Sequence, residues 1–132
     1  MQVDVVSPEK LLFSSEAVSV EIPGSDGDMT AMANHAPLIT TLRPGILRVV
    51  QEKGASEYVV TGGFAELGET VSVLAEKAVL KADFDREMFD ELVTAAQTTL
   101  DSARANMAGD AVDMAAKSLS DFNILGEILG FK

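Results

Sequence analysis

The chain has 132 residues, 47% of them apolar and 23% charged, with a net charge of −11 and no cysteine. That composition can bury a core and excludes wholesale disorder, and the length fits one modest domain or a small domain with an appendage. The acidic balance argues against nucleic acid or an anionic membrane as partner, and the lack of cysteine excludes disulfides, thiolate nucleophiles and thiolate metal sites.

The opening stretch, MQVDVVSPEKLL, has no basic region ahead of an apolar one, so no secretion signal is expected. No apolar run approaches the roughly 20 residues of a membrane-spanning helix. The default expectation is a soluble cytoplasmic protein. From the start to Ala82 the sequence alternates. In VSVEI, Val18, Val20 and Ile22 face one way and Ser19 and Glu21 the other. In TVSVLA, Val71, Val73 and Ala75 repeat the pattern. A period of two over short runs predicts half-buried strands. Turn signals divide the runs at Ser7-Pro8, Pro23 to Gly27, Pro44-Gly45, Lys53-Gly54, Gly62-Gly63 and Gly68. About ten strands result, as in a sandwich or a barrel, and no helical pattern lies between them.

After Ala82 the period changes. Phe84, Met88, Leu92, Ala96, Leu100 and Ala103 recur in steps of three and four, which predicts one helix face. Asp83 and Asp85 suit its start as cap and first-turn acid. Gly109 is expected as a left-handed stop, Asp110 as the cap of a second helix and Asp113 in its first turn. Val112, Ala115, Leu119, Phe122 and Leu125 form the second apolar stripe. Gly126 and Gly130 are expected to fray its end, at about 1 kcal/mol each relative to Ala. The short connection implies an antiparallel hairpin. The organisation is therefore an all-β unit over 1–82 and a two-helix hairpin over 83–132.

Chemistry is sparse. A Ser-His-Asp arrangement needs a base beside a nucleophile, and His35 in NHAPLITTLRPG is the only imidazole. No serine sits in a strand-turn-helix elbow, so His35 reads as a loop or contact residue. Asp26 and Asp28 around Gly27 have the form of half a calcium loop but lack its closing glutamate, so a solvated turn is expected and no metal. No phosphate-binding glycine loop opens a helix. Asp85, Glu87, Asp90 and Glu91 suit a helix start. Met88, Met107 and Met114 read as core packing, or as an adaptable contact surface for another protein. No active site and no cofactor emerge.

Four stretches carry a family resemblance. NHAPLITTLRPGILRVV, DVVSPEKLLFS, YVVTGGFAEL and VSVLAEKA together resemble the epsilon subunit of bacterial F-type ATP synthases, in order along the whole chain. The resemblance implies a ten-stranded β-sandwich followed by a C-terminal antiparallel helical hairpin. It implies a non-catalytic central-stalk rotor component that couples proton flow to ATP synthesis. One sandwich face would bind the gamma subunit. Asp28, His35, Ala36 and Pro37 would face the c-ring. The hairpin would lie near the catalytic alpha and beta subunits, with Arg104 and Lys117 as its contacts there. The complex would sit at the cytoplasmic face of the bacterial inner membrane, with this subunit peripheral. The alternative implied is a nucleotide-sensing module whose hairpin brakes ATP hydrolysis. Members of the family that bind ATP carry an arginine where Met88 stands, and Asp85 matches that motif only in part, so no ATP site is expected. From Asp83 onward ten acids face Arg86, Arg104, Lys117 and Lys132, a net −6, which predicts a weak brake on the acidic segment the family's hairpin meets.

Overall fold

The computed structural model describes residues 1–131. Ten strands come first: β1 (Gln2–Ser7), β2 (Lys10–Glu16), β3 (Ser19–Gly24), β4 (Gly27–Met32), β5 (Leu38–Thr41), β6 (Gly45–Gln51), β7 (Gly54–Val60), β8 (Gly63–Leu67), β9 (Thr70–Ala75) and β10 (Ala78–Leu80). A 3₁₀ turn at Lys81–Asp83 follows, then α1 (Arg86–Ala105) and α2 (Gly109–Leu129). The chain divides into two compact units, the first ending at Asp83 and the second starting at Phe84.

The strands form a sandwich of two five-stranded sheets, ordered β2-β1-β9-β8-β5 and β10-β7-β6-β3-β4. Neighbours are antiparallel except β1 and β9, which run parallel from Gln2 opposite Thr70 to Val6 opposite Leu74. The alternation fixes which residues meet between the sheets. Val3, Val5, Ala65, Leu67, Val71, Val73 and Ala75 of the first sheet join Val20, Ile22, Leu47, Val49, Tyr58 and Val60 of the second in one buried cluster. Each fully buried Val or Leu stabilises such a core by about 1.5–3 kcal/mol. Val18 departs from the expected pattern. The strand starts one residue later, so Val18 lies in the bend ahead of it, exposed, while Ser19 is buried.

The chain changes sheet between β4 and β5, at Asn34 to Pro37, and again between β5 and β6, at Arg43-Pro44. The second corner is tight: a Cβ on Gly45 would lie 2.7 Å from the Pro23 side chain. Leu42 donates its N–H to the Gly63 carbonyl at 2.9 Å and Arg43 donates to the Pro23 carbonyl at 3.0 Å, so the corner is stitched to both sheets.

In the second unit Asp85, and not Asp83 as expected, caps α1: its carboxylate accepts from the Met88 N–H at 2.9 Å, while Asp83 ends the preceding 3₁₀ turn. The α1 face that is buried comprises Phe89, Ala96, Leu100 and Ala103, and it meets Ala115, Phe122, Leu125 and Gly126 of α2. Four further expectations are corrected here. Phe89, buried to 1% exposure, was missing from the apolar stripe because the three-four spacing passes equally well through Met88. The left-handed position in the turn is Met107, at φ 54°, not Gly109, since the Ala108 N–H reaches back to the Ala103 carbonyl and ends α1 earlier. Asp110 does not cap α2. Ala108 occupies that position without a side-chain bond, and Asp110 lies in the first turn. Gly126 does not fray the helix. It lies inside α2 where the Phe89 ring needs the space of its missing Cβ, and only Gly130, at φ 78°, ends the helix.

Candidate interaction site

The strands that end the two sheets on one side of the sandwich are β4 and β5, joined by the loop that contains His35. Each carries a row of backbone groups with no further strand beside it, a feature that natural sheets cover or charge. Here the part of the edge nearest that loop is apolar. Met32, Leu38 and Ile39 are exposed, Ile39 to 68%. The loop between them is shaped by backbone rather than by chemistry. Asn34 is left-handed at φ 67°, the His35 N–H bonds the Met32 carbonyl at 3.3 Å, and Pro37 fixes the entry to β5. His35 Nδ1 donates to the Ala36 carbonyl at 3.3 Å. Among the described residues no hydroxyl or carboxylate is bonded to His35, so the base–nucleophile pair of acyl-transfer chemistry is not assembled there. Ala36 and Pro37 are exposed beside it.

Asp28 sits elsewhere on the same strand. It lies next to the β3–β4 turn and accepts from the Arg43 guanidinium, which also donates to the Gly24 carbonyl. His35, Ala36 and Pro37 follow the other end of β4. Four residues at about 3.3 Å each separate Asp28 from Met32, so the two groups mark the ends of one edge rather than one cluster. Asp26 and Asp28 belong to no group of three or more metal-ligating side chains among the described residues.

A second surface was illegible as a site in the sequence. Cross-strand register lines up Leu11, Val6, Leu74 and Phe64 on the outer face of the first sheet, across β2, β1, β9 and β8. Leu11 is 59% and Phe64 43% exposed. These positions have the parity of the polar residues Asp4, Ser72 and Glu66. An apolar residue on the polar parity, in VDVVS, TVSVLA and GFAEL, is the sequence signal that would have found them. The outer face of the second sheet differs. Its apolar residues Ile46, Val59 and Val79 are buried or half-buried, Met32 is exposed only at its β4 margin, and the open part between is a charged row. Arg48 reaches Glu21 at 2.9 Å and Lys81 reaches Glu57 at 3.6 Å, with Arg48 and Glu57 paired across β6 and β7. The Glu21 carboxylate bonded to it holds the Arg48 guanidinium above its ordinary pKa.

On the hairpin, Lys117 is engaged with Asp121 at 3.1 Å and Arg86 with Asp90 at 3.4 Å. Arg104 is exposed at the last turn of α1 and makes no ion pair among the described residues. Asp85 is committed to its cap, and Met88 is half-buried beside it. Met107 and Met114, read as core packing or as contact surface, are exposed to 91% and 75%, which removes the core reading for both, because the turn and the outer face of α2 carry them away from α1. Lys132 lies outside the described residues. Among the described residues no helix is long and apolar enough to cross a membrane.

Two solved structures share this architecture. A chain of the Euglena gracilis mitochondrial ATP synthase, from a cryo-EM structure of OSCP/F1/c-ring in rotational state 1, matches with a TM-score of 0.71 at 24% identity, over 96% of this chain and 79% of that one. A chain from the central stalk/c-ring structure of the Tetrahymena thermophila mitochondrial ATP synthase matches with a TM-score of 0.55 at 15% identity, over 89% and 95%. At these identities the likeness speaks for the fold alone, a ten-stranded β-sandwich followed by a helical hairpin. Sequence goes further. Residues 1–81 match the model of the ATP synthase Delta/Epsilon chain β-sandwich domain, and the ATP synthase epsilon chain of Fuscovulum blasticum is 50% identical over 132 residues, 99% of this chain and 97% of the relative. The chain belongs to the ATP synthase epsilon chain family.

Proposed function

We propose that this subunit is a non-catalytic rotor component of the central stalk, which links gamma to the c-ring and so couples proton flow to ATP synthesis. The observation that carries the reading is the open apolar row Leu11–Val6–Leu74–Phe64, an outer sheet face that is not covered by its own unit. Gamma docks on this row. The c-ring meets the β4–β5 edge, with Asp28 at one end and His35, Ala36 and Pro37 at the other. The prolines shape that surface, and His35 supplies a polar contact rather than a base. As part of the complex the subunit is peripheral, at the cytoplasmic face of the bacterial inner membrane.

The hairpin lies against the catalytic alpha and beta subunits through Arg104 and Lys117 and regulates hydrolysis weakly. Its acids outnumber its bases, and two of its cations, Arg86 and Lys117, are already paired within their own helices. Like charge facing the acidic segment of the catalytic head opposes docking, within a screening length of about 8 Å at physiological salt. Among the described residues Arg104 is the hairpin cation without an ion pair, so it carries more of that contact than Lys117.

The test is ATP hydrolysis by catalytic heads stripped of this subunit, with either the full chain or a chain ending at Ala82 added back. Equal rates with the two are expected, and both additions should restore attachment of the head to the c-ring. Strong inhibition by the full chain alone, lost on Arg104→Ala, would instead favour the reading of the hairpin as a nucleotide-sensing brake.

A further inference from the structure

The most specific contact of the hairpin lies at the end away from its turn. Toward the turn Ala96, Leu100 and Ala103 meet Ala115, one large side chain among alanines, and the covalent connection adds to the joining. At the other end the contact is between rings and a notch. A Cβ placed on Gly126 would lie 2.4 Å from Phe89 Cζ and 3.0 Å from both Cε atoms, so the ring fills the space that any other residue would occupy. Phe131 then packs against the same ring. Its centroid is 5.4 Å from that of Phe89 and 6.2 Å from that of Phe84. The backbone fixes Phe131 in place. Gly130 turns left-handed, and the Phe131 N–H donates to the Gly126 carbonyl at 2.8 Å, the same residue that makes the notch.

We propose that Gly126 and Phe131 form a latch around the Phe89 ring that keeps α1 and α2 paired, so that any movement of the hairpin carries both helices as one body. The three parts are interdependent. Tilted ring pairs at this separation add to the area they bury, and the helix terminator that positions Phe131 is tied to Gly126 by its carbonyl. Polar outer positions on α1, Glu87, Glu91, Gln97 and Asp101 among them, offer no second apolar face for that helix to bury if it parts from α2. Opening the hairpin therefore exposes Phe89, Leu100, Phe122 and Leu125 together. The inference rests on the hairpin alone and stands apart from the reading of the sandwich.

The chain has no cysteine, so paired spin labels can be placed cleanly at Glu91→Cys on α1 and Glu127→Cys on α2, both exposed. In the free full chain and in the assembled synthase, with or without nucleotide, one narrow label–label distance is expected. Phe131→Ala, and separately Gly126→Ala, should add a longer population and speed amide exchange in α1 and α2 by about tenfold or more, with β1 to β9 unaffected. Should Gly126→Ala melt the helices outright while the strands stay protected, the latch is supported, and Phe131→Ala still reports on the folded hairpin. Two results overturn it: wild-type labels that separate when nucleotide is added to the complex, or wild-type distance and exchange in both variants.

Discussion

Gly63 shows how little freedom some single positions have. Its φ of +111° and a hypothetical Cβ 2.0 Å from the Leu74 carbonyl oxygen both demand glycine, so the second glycine of TGGF is dictated by the β8–β9 pairing. Gly62, beside it, meets only the flexible end of Glu76. Asp4 is a different kind of constraint. Its carboxylate accepts from Ser14 Oγ at 2.7 Å and Gln2 Nε2 at 3.0 Å, and these bonds, the Ser14 one foremost, hold it below the ordinary aspartate pKa. A depressed folded-state value means that the stabilisation is present above the unfolded pKa and is lost as pH falls through the folded one. Asp4→Asn should therefore melt below wild type at neutral pH. The gap should hold above the ordinary aspartate value of about 3.9 and shrink as pH falls below it. A gap of constant size above and below that value in thermal melts would refute the assignment.

At the scale of strands and helices, the two outer faces of the sandwich make opposite predictions. Phe64→Glu inserts a charge into the open apolar row and should weaken gamma binding by at least about tenfold, a cost of roughly 1.4 kcal/mol or more, with the circular dichroism spectrum unchanged. Arg48→Glu breaks a solvated ion pair on the other sheet and should leave gamma affinity within about twofold, since exposed pairs contribute little. Titration calorimetry of the two variants reads both outcomes, and equal losses would move the docking face. The sequence made the inward residues legible because Val3, Val5, Val71 and Val73 alternate strictly. It left the outward row unread because each strand supplies one member, Leu11, Val6, Leu74 or Phe64, and only register brings them side by side. The β4–β5 edge escaped for the same reason. Met32 and Ile39 look like ordinary strand residues until the sheet order puts both at an end. In the helices the period was plain, but Phe89 and Gly126 were missed, because a ring in a notch depends on the partner helix and not on either stripe.

For the whole molecule the distribution of charge decides what the chain can bind. The net −11 is spread over both units, and the hairpin has few unpaired cations with which to hold a triphosphate. Met88 offers a thioether, which supplies no charge to a phosphate, and Asp85 is spent on its cap. Millimolar ATP should leave the thermal melt of the free subunit unshifted and its hairpin amide signals in place. A shift of the hairpin signals, abolished by Asp85→Ala, would restore a nucleotide site.

The parallel seam between β1 and β9 has a consequence for biogenesis. The first strand leaves the ribosome early, yet one of its two neighbours, Thr70 to Leu74, is made only after seven other strands. Until then β1 and β2 form an isolated two-stranded ribbon, a unit of marginal stability in water, and the rest of the first sheet has a missing middle. Closing such a distant pairing is slow, and the open edge is exposed to association while it waits. Release of a chain stalled before Thr70 should therefore yield an aggregating fragment, whereas one that extends past Ala75 can close the seam.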